Sequence, residues 1–182
     1  VEVDPSKLVI VSYPDPSLRG RAEAIEPSET VRAVAARMIE LMREADGIGL
    51  AAPQVGLAWR LFVCRVPPEG EEGGLATGCE TPQVHLNPVL SSPEGGLIGQ
   101  EEGCLSLPGI RGEIRRPPVI TLTSTDADGH EQTQRAAGLL ARCWQHESDH
   151  LDGVLIIDKM PRMDRLRNRS AIRELDREWD GR

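Results

Sequence analysis

The chain has 182 residues, of which 39% are hydrophobic and 27% charged, and its formal net charge is −8. That length and composition suit one globular domain spanning residues 1–182, and the acidic balance excludes general affinity for DNA or a membrane surface. No apolar run approaches the roughly 20 residues that cross a bilayer, and residues 1–5 have no signal-peptide pattern, so a cytoplasmic protein is expected.

The four cysteines, Cys64, Cys79, Cys104 and Cys143, form no Cys-x-x-Cys pair. A reducing compartment with free or metal-bound thiols is therefore expected rather than a disulfide framework. Aromatic residues are only 3% of the chain, so the core must come from Leu, Val, Ile, Ala and Met.

In chain order, residues 7–12 (Lys-Leu-Val-Ile-Val-Ser) read as a short strand or an extended entry, ended by Tyr13-Pro-Asp-Pro. Ser28 is the expected N-cap of a helix whose apolar stripe is Val31, Val34, Met38, Leu41 and Met42. Gly47 is the expected stop. Strands are predicted at 60–66, 84–90 and 119–125, with an exposed Pro/Gly/Glu-rich loop at 67–80 and a hairpin turn at Asp126-Ala-Asp-Gly129. A helix is predicted over 136–151, ended near Gly153, then a short strand at 154–157 and a final helix at 161–180. The mixture points to an α+β fold, antiparallel strands packed around a central helix, with a C-terminal helix.

That central helix holds Gln145-His146-Glu147-Ser148-Asp149-His150. Residues four apart share a helical face, so His146 and His150 can hold one metal ion while Glu147 sits beside it to move a proton. Leu139 and Cys143 continue the same stripe and suit equally a pocket wall next to the metal and plain core burial. A catalytic site of this type uses three protein ligands and an open position. Neither His85 nor His130 stands in a ligand-like context, and no His follows His150. Cys104 supplies a strong soft donor, although taken alone it reads as a buried free thiol more readily than as a ligand.

Three blocks together make the chain resemble the peptide deformylase family: Gly47-Ile-Gly-Leu-Ala-Ala-Pro-Gln54, Glu102-Gly-Cys-Leu-Ser106 and Gln145-His-Glu-Ser-Asp-His150. The resemblance implies that Cys104, His146 and His150 bind the metal and that Glu147 is the general acid/base. Gln54, through its side-chain amide, and Leu105, through its backbone N–H, would serve the oxyanion. Ile48, Gly49, Gly103, Leu139 and Cys143 would bind substrate. The implied ion is Fe²⁺, replaceable by Zn²⁺, Ni²⁺ or Co²⁺. The implied partners are N-formylmethionyl nascent peptides and the ribosome, the latter through the Arg-rich C-terminal helix.

An ordinary zinc peptidase is the competing enzyme reading, and it predicts indifference to loss of Cys104. Gln100 stands where an apolar residue would better wall a methionine pocket. Arg142 flanks the metal stripe and is expected either over the pocket mouth or in solvent. Trp144 points off the stripe into packing, and Glu102 and Arg116 are expected to form a supporting ion pair.

Overall fold

The computed structural model describes residues 3–179. Its elements are α1 (Glu29–Glu44), β1 (Gly49–Ala51), β2 (Leu61–Cys64), β3 (Glu71–Glu72), β4 (Leu75–Ala76), β5 (Gln83–Glu94), β6 (Ile98–Cys104), β7 (Leu107–Arg116), β8 (Val119–Thr125), β9 (Glu131–Ala137), α2 (Gly138–Leu151), α3 (Ile156–Lys159), α4 (Arg162–Arg167) and α5 (Arg169–Glu178). Seven strands form one sheet in the order β1-β2-β5-β8-β9-β4-β3, and β6 pairs only with β7. All pairings are antiparallel except the single parallel contact of β4 with β9. The architecture is the expected α+β arrangement around a central helix.

Strand β2 explains how the two long helices find their places. All four of its residues are buried, yet side chains alternate between faces of a strand. Leu61 and Val63 join α1 residues Val34, Met38 and Met42 in one apolar cluster. Phe62 and Cys64 join α2 residues Leu140, Cys143 and Trp144 in another. The sheet is thus covered on both faces, and burying each large apolar side chain is worth about 1.5–3 kcal/mol. Trp144 is fully buried, the packing residue its off-stripe position implied.

Helix termini follow local chemistry. The Ser28 hydroxyl accepts from the Val31 N–H at 3.2 Å, as the N-cap expectation requires. At the other end of α1 the left-handed residue is Asp46 (φ 53°), not Gly47. The Gly47 N–H instead closes the motif on the Met42 carbonyl at 2.8 Å. Helix α2 ends the same way, with Gly153 left-handed (φ 73°) and the Val154 N–H on the Asp149 carbonyl at 2.9 Å. Its start is later than predicted, because Ala136 and Ala137 finish β9 and Gly138, at φ 57°, turns strand into helix.

Several other expectations change. Lys7 ends a short helical turn, and residues 8–12 take the extended-entry alternative rather than joining a sheet. They run as a strap, with the Val11 N–H donating to the Gln54 carbonyl and the Tyr13 N–H to the Ser106 carbonyl, both at 2.8 Å. The 67–80 segment holds the short β3–β4 hairpin. The predicted strand at 154–157 is replaced by the helical turn α3, where the Asp158 carboxylate accepts from the Leu155 N–H at 2.8 Å and favours helical over extended backbone. The predicted helix at 161–180 is two helices that change direction at Asn168, whose amide donates to the Arg111 and Asp164 carbonyls; position 180 lies outside the described residues. The β6–β7 hairpin and β9 were not anticipated. Their sequences, rich in Gly, Arg, Gln and Glu, lack the apolar alternation that marks a strand.

His85 is a core residue. Its ring lies between Phe62 and Trp144 and contacts the Ser124 hydroxyl at 2.8 Å. Burial pushes its pKa down from 6.5 to about 4. The unfolded chain therefore binds this proton at higher pH than the folded chain, so His85 makes stability rise with pH between those two values. Acidification across that window should cost about 3 kcal/mol at this one site. Urea melts of metal-free protein at several pH values should give a shallower slope for His85→Gln than for the parent; equal slopes would contradict it.

Candidate metal centre and active site

Helix α2 and the β6–β7 hairpin meet at a cavity of about 520 Å³. Cys104 closes β6, and the helical spacing of α2 turns His146 and His150 toward it. The His150 Nε2 is 3.3 Å from the Cys104 Sγ and 3.2 Å from the His146 Nε2. All three donor atoms lie within 4.8 Å of one another, and among the described residues this is the one such group.

The set fits a divalent cation. Glu102 Oε2 lies 3.0 Å from His146 Nδ1. A carboxylate there fixes the proton on Nδ1 and leaves the Nε2 lone pair facing the other two donors. A thiolate and two imidazole lone pairs aimed at one point repel one another unless positive charge lies between them. Burial pushes the His150 pKa well below the ordinary histidine range, toward the neutral form that ligates. Burial opposes charge on His146 as well, yet hydrogen bonds with Cys104 and Glu102 hold its pKa well above that range.

Glu102 is itself heavily supported. Its carboxylate accepts from Arg116 Nε at 2.7 Å and Nη2 at 2.9 Å, and from Arg142 Nη1 at 2.7 Å. Arg116 also donates to Asp149 at 2.8 Å, and Lys159 reaches the same Asp149 at 2.7 Å. Burial works against the Glu102 charge, but the hydrogen bonds and charges of Arg116 and His146 hold its pKa well below the usual carboxylate range. The Glu102–Arg116 pair expected from sequence is therefore present and buried. Arg142 adopts neither predicted setting alone: its side chain lines the cavity yet is 93% buried and donates three hydrogen bonds to protein acceptors.

Glu147 is buried, and its Oε2 has no hydrogen-bond partner among the described residues. Desolvation pushes its pKa up to about 7, against the pull of His146. Gln54 sits in a short helical turn, with its Oε1 accepting from the Ala51 N–H at 2.9 Å. That bond turns the NH₂ toward Ser106 Oγ at 3.2 Å and Cys104 Sγ at 3.5 Å. Leu105 occupies the turn between β6 and β7 and lines the cavity.

Ile48, Gly49, Gly103, Leu139 and Cys143 line it too, so the residues named from sequence for metal, proton transfer, oxyanion and substrate meet at this one place. Gln100 does not. It is exposed, pairs with Ile114, and lies outside the cavity wall, which on β6 runs from Glu101 to Cys104. Sequence reasoning missed Ser106 and Asp149, although both lie inside the quoted blocks, and also Arg111, Ile110 and Gly109 on the cavity wall.

A thiolate/imidazole metal set, a buried carboxylate beside it and an amide aimed at the same cavity define a metal-dependent hydrolase of amide bonds. The polypeptide deformylase family model matches residues 7–166. The chain is 43% identical over 157 residues to the peptide deformylase of Agrobacterium fabrum (strain C58), covering 86% of this chain and 88% of that one. It is 38% identical over 172 residues to that of Maricaulis maris (strain MCS10), covering 94% and 95%. Among solved structures, the peptide deformylase of Ehrlichia chaffeensis is 33% identical and superposes with a TM-score of 0.85 over 94% of this chain and 96% of the other. The chain belongs to the peptide deformylase family, and peptide deformylase activity goes with that membership.

Gly49 has a testable part in this geometry. A Cβ at that position would overlap Glu147 Oε1 and come within 2.9 Å of Cys143 Sγ. Gly49→Ala should displace the carboxylate and lower kcat/KM for deformylation by roughly 100-fold, while metal content, read by elemental analysis, stays at the parental level. A fully active Gly49→Ala enzyme would show that the carboxylate needs no such clearance.

Proposed function

We propose that this protein hydrolyses the formyl group from the N-formylmethionyl end of nascent polypeptides, releasing formate and a free amino terminus. The supporting observation is that an unpartnered buried Glu147 oxygen, the Gln54 amide and the Cys104/His146/His150 set converge on one cavity. A divalent ion held by Cys104, His146 and His150 would supply Lewis-acid polarisation of the formyl oxygen and would acidify water. Fe²⁺ is the proposed ion, with Zn²⁺, Ni²⁺ and Co²⁺ able to replace it, since a thiolate/imidazole donor set suits all four.

The chain's own groups divide the remaining work. Glu147 takes a proton from the attacking water as the water oxygen bonds to the formyl carbon. A carboxylate whose pKa sits near 7 is matched to accepting and returning a proton at neutral pH. Negative charge then builds on the former carbonyl oxygen, where the Gln54 Nε2–H and the Leu105 backbone N–H donate to it. Glu147 finally gives its proton to the amide nitrogen as the C–N bond breaks. Ile48, Leu139 and Cys143 offer an apolar wall suited to a flexible thioether side chain. Gly49 and Gly103 leave backbone accessible for an extended peptide.

The test uses protein purified without oxygen, with its metal identified by elemental analysis and formate measured from formyl-Met-Ala-Ser. Glu147→Ala should keep the metal and lose turnover. Gln54→Ala should lose about 100- to 1000-fold in kcat. An active Glu147→Ala enzyme, or cleavage of internal peptide bonds instead of formate release, would overturn the scheme.

The ribosome is a proposed second partner, reached in the cytoplasm through the C-terminal segment. Helix α5 is largely exposed, and Arg167, Arg169, Arg173 and Arg177 line one cleft with Asp176. Removing residues 161–182 should reduce co-pelleting with ribosomes in a salt-dependent way, and equal pelleting would remove this partner.

A further inference from the structure

The metal ligands belong to two separately packed parts of the molecule. Cys104 ends a hairpin whose apolar residues, Leu107, Ile110 and Ile114, pack with α3 in one cluster. The apolar side of α2, which carries both histidines, packs with β2 and β8 in another. Among the described residues no buried apolar cluster holds both hairpin and α2 side chains, and polar ties set one against the other. Arg142 is the side chain best placed for this. It lies one helical turn before His146, and its guanidinium donates to three points on the hairpin: Glu102 Oε1 at 2.7 Å, the Ile114 carbonyl at 2.9 Å and the Ile98 carbonyl at 2.8 Å. Those acceptors lie at the start of β6, near its end, and on β7.

We propose that Arg142 is a positioning residue of the metal centre, fixing the distance between the two histidines on the helix and the cysteine on the hairpin. The rigid fork of a guanidinium can reach several acceptors at once, which a lysine ammonium cannot do in the same geometry. Arg142 also shares the Glu102 carboxylate with His146, donating to Oε1 while His146 meets Oε2. It thereby orients the acceptor that sets the His146 tautomer. Glu102 keeps its two Arg116 bonds when Arg142 is absent, so the expected defect is one of geometry rather than of an abandoned buried charge.

The inference rests on Cys104, His146 and His150 being the ligands, and the experiment separates the two. Apo-protein is titrated with Co²⁺ against a competing chelator, with the thiolate-to-cobalt charge-transfer band as the readout. In the parent protein, absence of that band would remove the ligand assignment itself. With the band present, Arg142→Met should weaken Co²⁺ binding by about 10- to 100-fold and change the band of the saturated protein. Arg142→Lys should recover only part of the affinity. Val34→Ala, a core truncation in the α1 cluster, serves as the control for lost stability and should bind Co²⁺ within about twofold of the parent, since distant sites act independently. Parental affinity and spectrum in Arg142→Met would overturn the proposal, as would an equal loss in Val34→Ala. Where Arg142→Met does not fold, Arg142→Lys decides alone: parental affinity and spectrum overturn the proposal, and a weakened, altered site supports it.

Discussion

The Glu102 carboxylate is the point on which the active site depends. It is almost wholly buried, and an isolated carboxylate in that position would be too costly to keep ionised. Two arginines and a histidine surround it, from β7 and from α2. The same contacts that keep it charged also join the hairpin to the metal helix and point His146 Nε2 at Cys104. Electrostatic necessity and ligand geometry are therefore met by one set of bonds. Arg116 extends the set to Asp149, and Lys159 extends it to the end of α3.

Around that network the fold divides its labour. The seven-stranded sheet and its two covering helices provide rigid burial, and α2 serves both as core and as ligand platform. The hairpin brings the cysteine and the oxyanion turn. The strap at residues 8–13 crosses both loops that frame the cavity, with backbone bonds to Gln54 and Ser106. Glu147 lies deep in this assembly with one oxygen unpartnered, and its desolvation cost is the source of its near-neutral pKa. A site that leaves a buried acceptor open in this way trades stability for a group ready to take a proton.

Much of this was legible in the chain. Helix α1 announced itself through Ser28 and its apolar stripe, and the two histidines through their spacing of four. The deformylase-like blocks named every residue that the cavity gathers from them. The β6–β7 hairpin was not legible, because only three of its residues, Leu107, Ile110 and Ile114 on β7, are buried in an apolar cluster, while β6 faces the polar network and solvent. Alternation of apolar and polar side chains, the usual mark of a strand, is therefore absent from β6. The turn at 154–157 was misjudged for a similar reason: four apolar residues in a row fit a strand or a helical turn equally, and the Asp158 cap decided between them. Arg142 could not be assigned, since an arginine between apolar neighbours gives no sign of which carbonyls it will meet.

The sequence by itself determined the donor types, the helical spacing of His146, Glu147 and His150, and the caps that begin and end the helices, because these depend only on residue chemistry and local backbone geometry. Tertiary structure alone decided that Cys104, 42 positions before His146, would stand beside it. It also decided that Glu147 would be dry, and that Arg142 would turn inward to the hairpin. Each of these depends on which surfaces come together and how much water they exclude, and no local pattern encodes that.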